Sequence, residues 1–195
     1  MIKQLILIAG SISFAAGAYS FVAVQPHQDP AELIAAQKRA LTKLEFLDGQ
    51  WRGEAWTMLP SGDKHTFTQT ERVGPFLDAS VRIIEGHGYE KNGQSIFNAL
   101  GIISYDSNND QYTMHSYAQG HTGDFELKAI ENGFIWEIPA GPMTMRYTAI
   151  IENDTWHEIG ERMIPNNDPV QFFEMTLTRI ADTDWPAANP VSPTP

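Results

Sequence analysis

Five polar residues stand out because their types could do chemistry if one cavity gathered them: Gln69, Glu71, Glu85, His157 and Glu161. Buried carboxylates are costly unless they are paired or protonated. Three acids and an imidazole in one place could orient a polar ligand head, hold a cation or move a proton. Set beside Arg72, Arg82, Arg146 or Arg162, the same acids would instead form structural ion pairs at a rim. His65, His87, His115, His121 and His157 lack a tight ligand spacing such as His-Glu-x-x-His, so no metal site is expected. No cysteine and no Gly-x-Ser-x-Gly motif supplies an activated nucleophile, and no catalytic residue is assigned. Ser104-Tyr105-Asp106 reads as the end of a strand, with Asp106 opening a turn.

Whether the five residues can meet depends on the elements that carry them. The chain has 195 residues, enough for one domain with a real core. Its formal net charge is −11, which argues against nucleic acid or an anionic membrane as partner, since both repel an acidic surface. The absence of cysteine excludes a disulfide framework, thiolate chemistry and a lipobox anchor.

Met1 to Ala18 has the form of an export signal. Lys3 is the positive n-region, Leu5 to Ala18 the apolar segment, and Ala16-Gly17-Ala18 a small-x-small cleavage site that would leave Tyr19 first. An uncleaved anchor is the alternative, because apolar character continues to Val24. Either way the domain is expected to be periplasmic or secreted, with no stable membrane insertion once the signal is cut. Residues 19–28 form a linker.

Asp29-Pro30-Ala31-Glu32 predicts a helix start, and Leu33, Ile34, Leu41, Leu44 and Leu47 recur at helical spacing. The helix is expected over 29–48, covering one barrel mouth or its side, with Gly49 as its natural stop. From Gln50 the period becomes alternating. Strands are predicted near 50–58, 65–75, 79–89, 95–105, 111–118, 123–130, 133–138, 143–152, 155–163 and 170–180, separated by short Gly/Asn/Asp/Pro turns. Ten short strands in an up-and-down meander are best accommodated by an all-β barrel over 49–181, which removes exposed edges; a β-sandwich is the alternative. Residues 182–195, rich in proline, read as a flexible tail whose Trp185 could dock back on the barrel.

Gly49-Gln50-Trp51 resembles the Gly-x-Trp opening of calycin barrels, the lipocalin and fatty-acid-binding superfamily. In calycins that Trp closes one barrel end and a basic residue of the last strand packs across it. The resemblance gives this structural role to Gly49, Trp51 and Arg179. With Arg179 on the inner parity, Phe173, Met175 and Leu177 point inward, and Phe172, Glu174, Thr176 and Thr178 outward. The same alternation puts Phe125 and Leu127, Phe134 and Trp136, and Met143, Met145 and Tyr147 inside. It places Phe67, Gln69, Glu71 and Val73 inside on the second strand, and Val81, Ile83 and Glu85, opposed by Arg82, on the third. On the ninth, His157, Ile159, Glu161 and Met163 fall inside, with Trp156, Glu158 and Arg162 outside. The second and ninth strands have mixed faces. An aromatic and Met lining suits a cavity for an apolar ligand, and ten strands enclose more room than eight.

Leu47-Asp-Gly-Gln-Trp-Arg-Gly-Glu, Phe67-Thr-Gln-Thr-Glu71, Ser104-Tyr-Asp106, Trp156-His-Glu-Ile-Gly-Glu161 and Phe173-Glu-Met-Thr-Leu-Thr-Arg179 together resemble a calycin-like bacterial family known only as a domain of unknown function. That resemblance implies a fold and no activity. The chain is also distantly similar to nitrobindin, a ten-stranded haem-binding barrel that opens Gly-x-Trp-x-Gly-x-Gly. Gly49, Trp51 and Gly53 match, while Ala55 stands at the third glycine. The similarity implies a haem ligand near the last strands, where His157 is the available imidazole. Glu161 lies about 13 Å along the same face, too far to hold that ring directly.

The expected function is an exported barrel binding a small apolar or amphipathic molecule through Phe67, Gln69, Glu71, Glu85, Phe125, Trp136, Met145, Tyr147, His157, Glu161, Phe173 and Met175. The alternatives are a haem or nitric-oxide protein using His157, and an acid/base enzyme using Glu71, His157 and Glu161. Clustering of the polar residues is what separates them.

Overall fold

A computed structural model describes residues 29–193; the expected signal and linker lie outside the described residues. Asp29 caps α1 (Pro30–Thr42), its carboxylate accepting from the Ala31 N–H at 2.9 Å. Pro30 occupies the first turn with Glu32, and Arg39 lies in the last, each matched to its end of the helix dipole. The helix stops at Thr42, short of the expected boundary. Leu41, Leu44 and Leu47 are spaced by threes, and on an α-helix each such step falls roughly 60° behind. In a 3-10 turn residues three apart eclipse. The chain tightens into a 3-10 turn at Glu45–Leu47, and all three leucines are fully buried. Ile34, expected on the same face, is largely exposed.

Ten strands follow: β1 (Gly49–Met58), β2 (Lys64–Phe76), β3 (Val81–Tyr89), β4 (Ser95–Asp106), β5 (Gln111–Ala118), β6 (His121–Ile130), β7 (Gly133–Ala140), β8 (Met143–Glu152), β9 (Thr155–Met163) and β10 (Val170–Ala181). Each pairs antiparallel with its chain neighbours, and β1 pairs β10 to close the barrel. The sandwich alternative is thereby set aside. Turn residues Asp110, Asn132, Asn153 and Asp154 take left-handed φ values of 51–56°, a region that Asn and Asp tolerate. The β2–β3 turn is less usual. Leu77, Asp78 and Ala79 are left-handed in succession (φ 49°, 56° and 64°), held by a Ser80 Oγ bond to the Leu77 carbonyl at 2.8 Å and an ion pair from Lys38 of α1 to Asp78.

Two arginines lock the helix end over one mouth. Arg82 is 2% exposed and grips Asp48 with two bonds (Nε–Oδ1 2.5 Å, Nη2–Oδ2 2.8 Å), while its Nη1 donates to the Leu41 carbonyl. Arg82 points inward, not outward as alternation from Glu85 predicted. Arg179 lies over the Trp51 ring at 4.2 Å and donates to the carbonyls of Phe46 and Asp48 and to Asp154. Gly49 sits at φ 147°, and a Cβ there would collide with the Arg179 guanidinium, so this junction admits only glycine. Behind it Trp51 meets Trp156 edge-on at 5.7 Å, and Val73, Ile103, Leu127, Phe134 and Leu177 complete a buried apolar core. The tail does not leave the barrel at once: Trp185 packs edge-on against Phe76 at 5.6 Å, and Asp184 lies 3.5 Å from Arg72.

Candidate functional site

Above that core the barrel is hollow. Phe67, Gln69 and Glu71 of β2, Phe125 of β6, Trp136 of β7, Met145 and Tyr147 of β8, and Phe173 and Met175 of β10 all line a cavity of about 830 Å³. It opens at the end away from α1, where His65, Gln119, His121 and Thr122 form part of the rim. The space exists because several inward positions carry little or no side chain, among them Gly86, Ala99, Gly101 and Gly123. Gly86 also makes room for chemistry: it pairs with Glu71 across β2–β3, and a Cβ there would stand 2.8 Å from Glu71 Oε1.

The polar groups gather at the floor. Gln69 Nε2 donates to Glu71 Oε1 at 2.6 Å. Glu158 accepts from two indoles, Trp156 Nε1 at 3.1 Å and Trp136 Nε1 at 3.4 Å. Glu71 is half-buried, and the surface it shows borders the lumen. Burial pushes Glu71 up to about 8; the Gln69 bond opposes this, and the charges of Glu158 and Glu85 add to it. Burial likewise raises Glu158 to about 7 against the pull of the two indole N–H groups and of His157. For both acids burial is the larger cause, and the charge of Glu158 adds to the rise at Glu71. Tyr147, stacked on Trp136 at 4.3 Å, is held neutral far above the ordinary phenol range by burial and by Glu158.

Three of the expected site residues are elsewhere. Glu85 is on the outer face of β3, opposite Arg72 and 3.6 Å from His87. Glu161 is outside, opposite Arg146. His157 is outside and exposed, its Nε2 3.0 Å from Glu174 Oε1, which also holds Glu174 below the usual carboxylate range. The proposed axial haem ligand therefore faces away from the lumen, and the trio Glu71, His157 and Glu161 does not converge. β9 runs in the opposite parity to that expected, with Trp156 and Glu158 buried. The alternation shifts at Phe172 as well. β10 carries a bulge between Gln171 and Phe173 opposite Glu161 and Gly160, so Phe172 and Phe173 both border the cavity although Phe172 was expected outside.

No protein-family model and no curated protein matches the sequence. Among solved structures, Rv2717c from M. tuberculosis is similar in fold, with a TM-score of 0.54 at 10% identity over 72% of this chain and 96% of its own. That likeness shows the fold alone.

Sequence reasoning missed Glu158 and Trp156 as lumen residues. One face of β9 offers Trp156, Glu158, Gly160 and Arg162 and the other His157, Ile159, Glu161 and Met163, so both are mixed and alternation alone does not choose between them. The alternation carried over from Arg179 put His157 and Glu161 inside, the opposite of the observed parity.

Proposed function

We propose that this protein is a small-molecule binding barrel, exported from the cytoplasm and calycin-like in kind, that holds an apolar or amphipathic ligand in its lumen. The observation that carries this reading is the cavity itself. Its volume lies within the roughly 300–1,000 Å³ typical of small-molecule sites, its wall is largely aromatic and aliphatic, and the polar groups at its floor are confined to Gln69, Glu71 and Glu158. A plain structural barrel would gain by filling such a space, because each lost contact in a void costs stability. The apolar wall takes the ligand's body and the floor of Gln69, Glu71 and Glu158 takes its polar head.

The test is native mass spectrometry on protein purified without harsh extraction, together with uptake of the neutral dye Nile red. A retained adduct or dye fluorescence in the parent, lost in Ala99→Trp (a residue of the cavity wall), is the expected result. No adduct and no dye uptake by a correctly folded parent overturns the reading.

A further inference from the structure

Two carboxyl groups share the floor of the cavity, and among the described residues neither Glu71 nor Glu158 has an ion pair. The buried arginine nearby in the fold, Arg82, is committed to Asp48 and to the helix end. Glu71 Oε1 accepts from Gln69, whereas its Oε2 has no hydrogen-bond partner among the described residues and is open to the lumen. Glu158 is 6% exposed and receives only neutral indole donors. Burying acids without a counter-charge is unfavourable unless something else supplies one.

Resting on the binding-barrel reading above, we propose that the ligand is an organic cation: an apolar body ending in a protonated amine or quaternary ammonium that seats between Glu71 and Glu158. Two further observations agree. The Trp136 and Tyr147 rings, stacked at 4.3 Å, line the same cavity, and aromatic rings attract cations. The chain's formal charge of −11 draws cations toward the mouth and repels anions. Fatty carboxylates and other anionic amphiphiles meet two acids at the bottom of the lumen and are selected against.

Protons and ligand then compete for the floor. The titratable groups facing it are Glu71 from β2, Glu158 from β9 and Tyr147 from β8, with His65, Glu90 and His121 at the rim and His157 and Glu85 behind the wall. In the free protein the acids bind protons near neutrality; a seated ammonium favours their ionised forms and releases those protons. Binding of a cation therefore strengthens as pH rises through about 7 to 8.

Three probes with one apolar body test this: decylamine, decanol and decanoate, followed by tryptophan fluorescence and calorimetry. At about pH 8.5, where the amine is still charged, decylamine should bind at least about tenfold more tightly than decanol, with decanoate weakest. At about pH 5.5 the preference should shrink, and amine binding near neutrality should release protons to the buffer. Glu71→Gln/Glu158→Gln, isosteric and neutral, should lose the amine preference while still taking decanol. Decanol bound as tightly as decylamine, or decanoate tightest, overturns the cation reading and leaves the binding barrel standing. A preference kept by the double variant also overturns it. Failure of all three probes to enter a folded protein overturns both readings.

Discussion

Replacing Glu71 by Gln should stabilise the ligand-free protein above neutrality, and by more as the pH rises. Glu71 goes from 4.5 in the unfolded chain to about 8 when folded. A carboxyl whose folded value is raised binds its proton more tightly in the native state. Its contribution is fully present below about pH 4.5 and is lost as pH rises through about 8. Linkage over that interval amounts to about 3 kcal/mol by pH 7 and approaches roughly 5 above the folded value, as an upper figure for a group coupled to Glu158. About 2.5 kcal/mol of that falls between about pH 5 and pH 7; at about two to four degrees per kcal/mol for a chain of this size, the melting temperature of the parent should fall by roughly 5–10 °C over that interval on this account alone. The amide of the Glu71→Gln variant would keep the Gln69 bond through its own carbonyl and cannot ionise. Thermal denaturation from about pH 5 to about pH 9 on ligand-stripped protein should give a shallower curve for the variant, crossing above the parent near neutrality. Parallel curves would refute the claim that Glu71 is desolvated at the lumen floor.

Other substitutions probe other links of the chain. Arg82→Met removes a buried guanidinium and leaves Asp48 unpaired; a loss of about 3–5 kcal/mol is expected in urea denaturation. Ala79→Gly relieves one of three successive left-handed residues and should raise stability by up to about 1 kcal/mol, read from the same denaturation midpoint. His157→Ala deletes an exposed pair with Glu174 and should cost less than about 1 kcal/mol while leaving Nile red uptake unchanged. Loss of dye binding in that variant would place His157 in the lumen after all.

The strands were legible in the sequence because turn chemistry marks them. Lys91-Asn-Gly93, Glu131-Asn-Gly133 and Ala140-Gly-Pro142 sit between strand pairs, and the observed boundaries follow. Faces were legible where apolar and charged residues alternate cleanly, as in Asp124 to Lys128 of β6 and Thr144 to Thr148 of β8. They were illegible in β3 and β9. β3 offers both Ile83 and Ile84, and its inward side carries a charge, Arg82, whose partner Asp48 is brought near only by the fold. Alternation also cannot foresee a bulge, and the one at Phe172 brings two adjacent aromatics to the same cavity. The candidate floor was thus half visible: Gln69 and Glu71 by pattern, Glu158 only once Trp156 was seen to be buried.

Nine of the ten strand pairings join neighbours in the chain, and each can form as a local hairpin while the rest is still unformed. The tenth, β1 with β10, spans nearly the whole domain, as in the pairing of Trp51 with Arg179. Its loop-closure entropy is the largest in the molecule. The same residues that make this seam also clamp the helix end, because Arg179 bonds the Phe46 and Asp48 carbonyls. Closing the ring and sealing its mouth are therefore one event. A chain truncated before β10 would keep two raw edges on β1 and β9 and an unsealed core, and would tend to aggregate instead of folding to a smaller barrel.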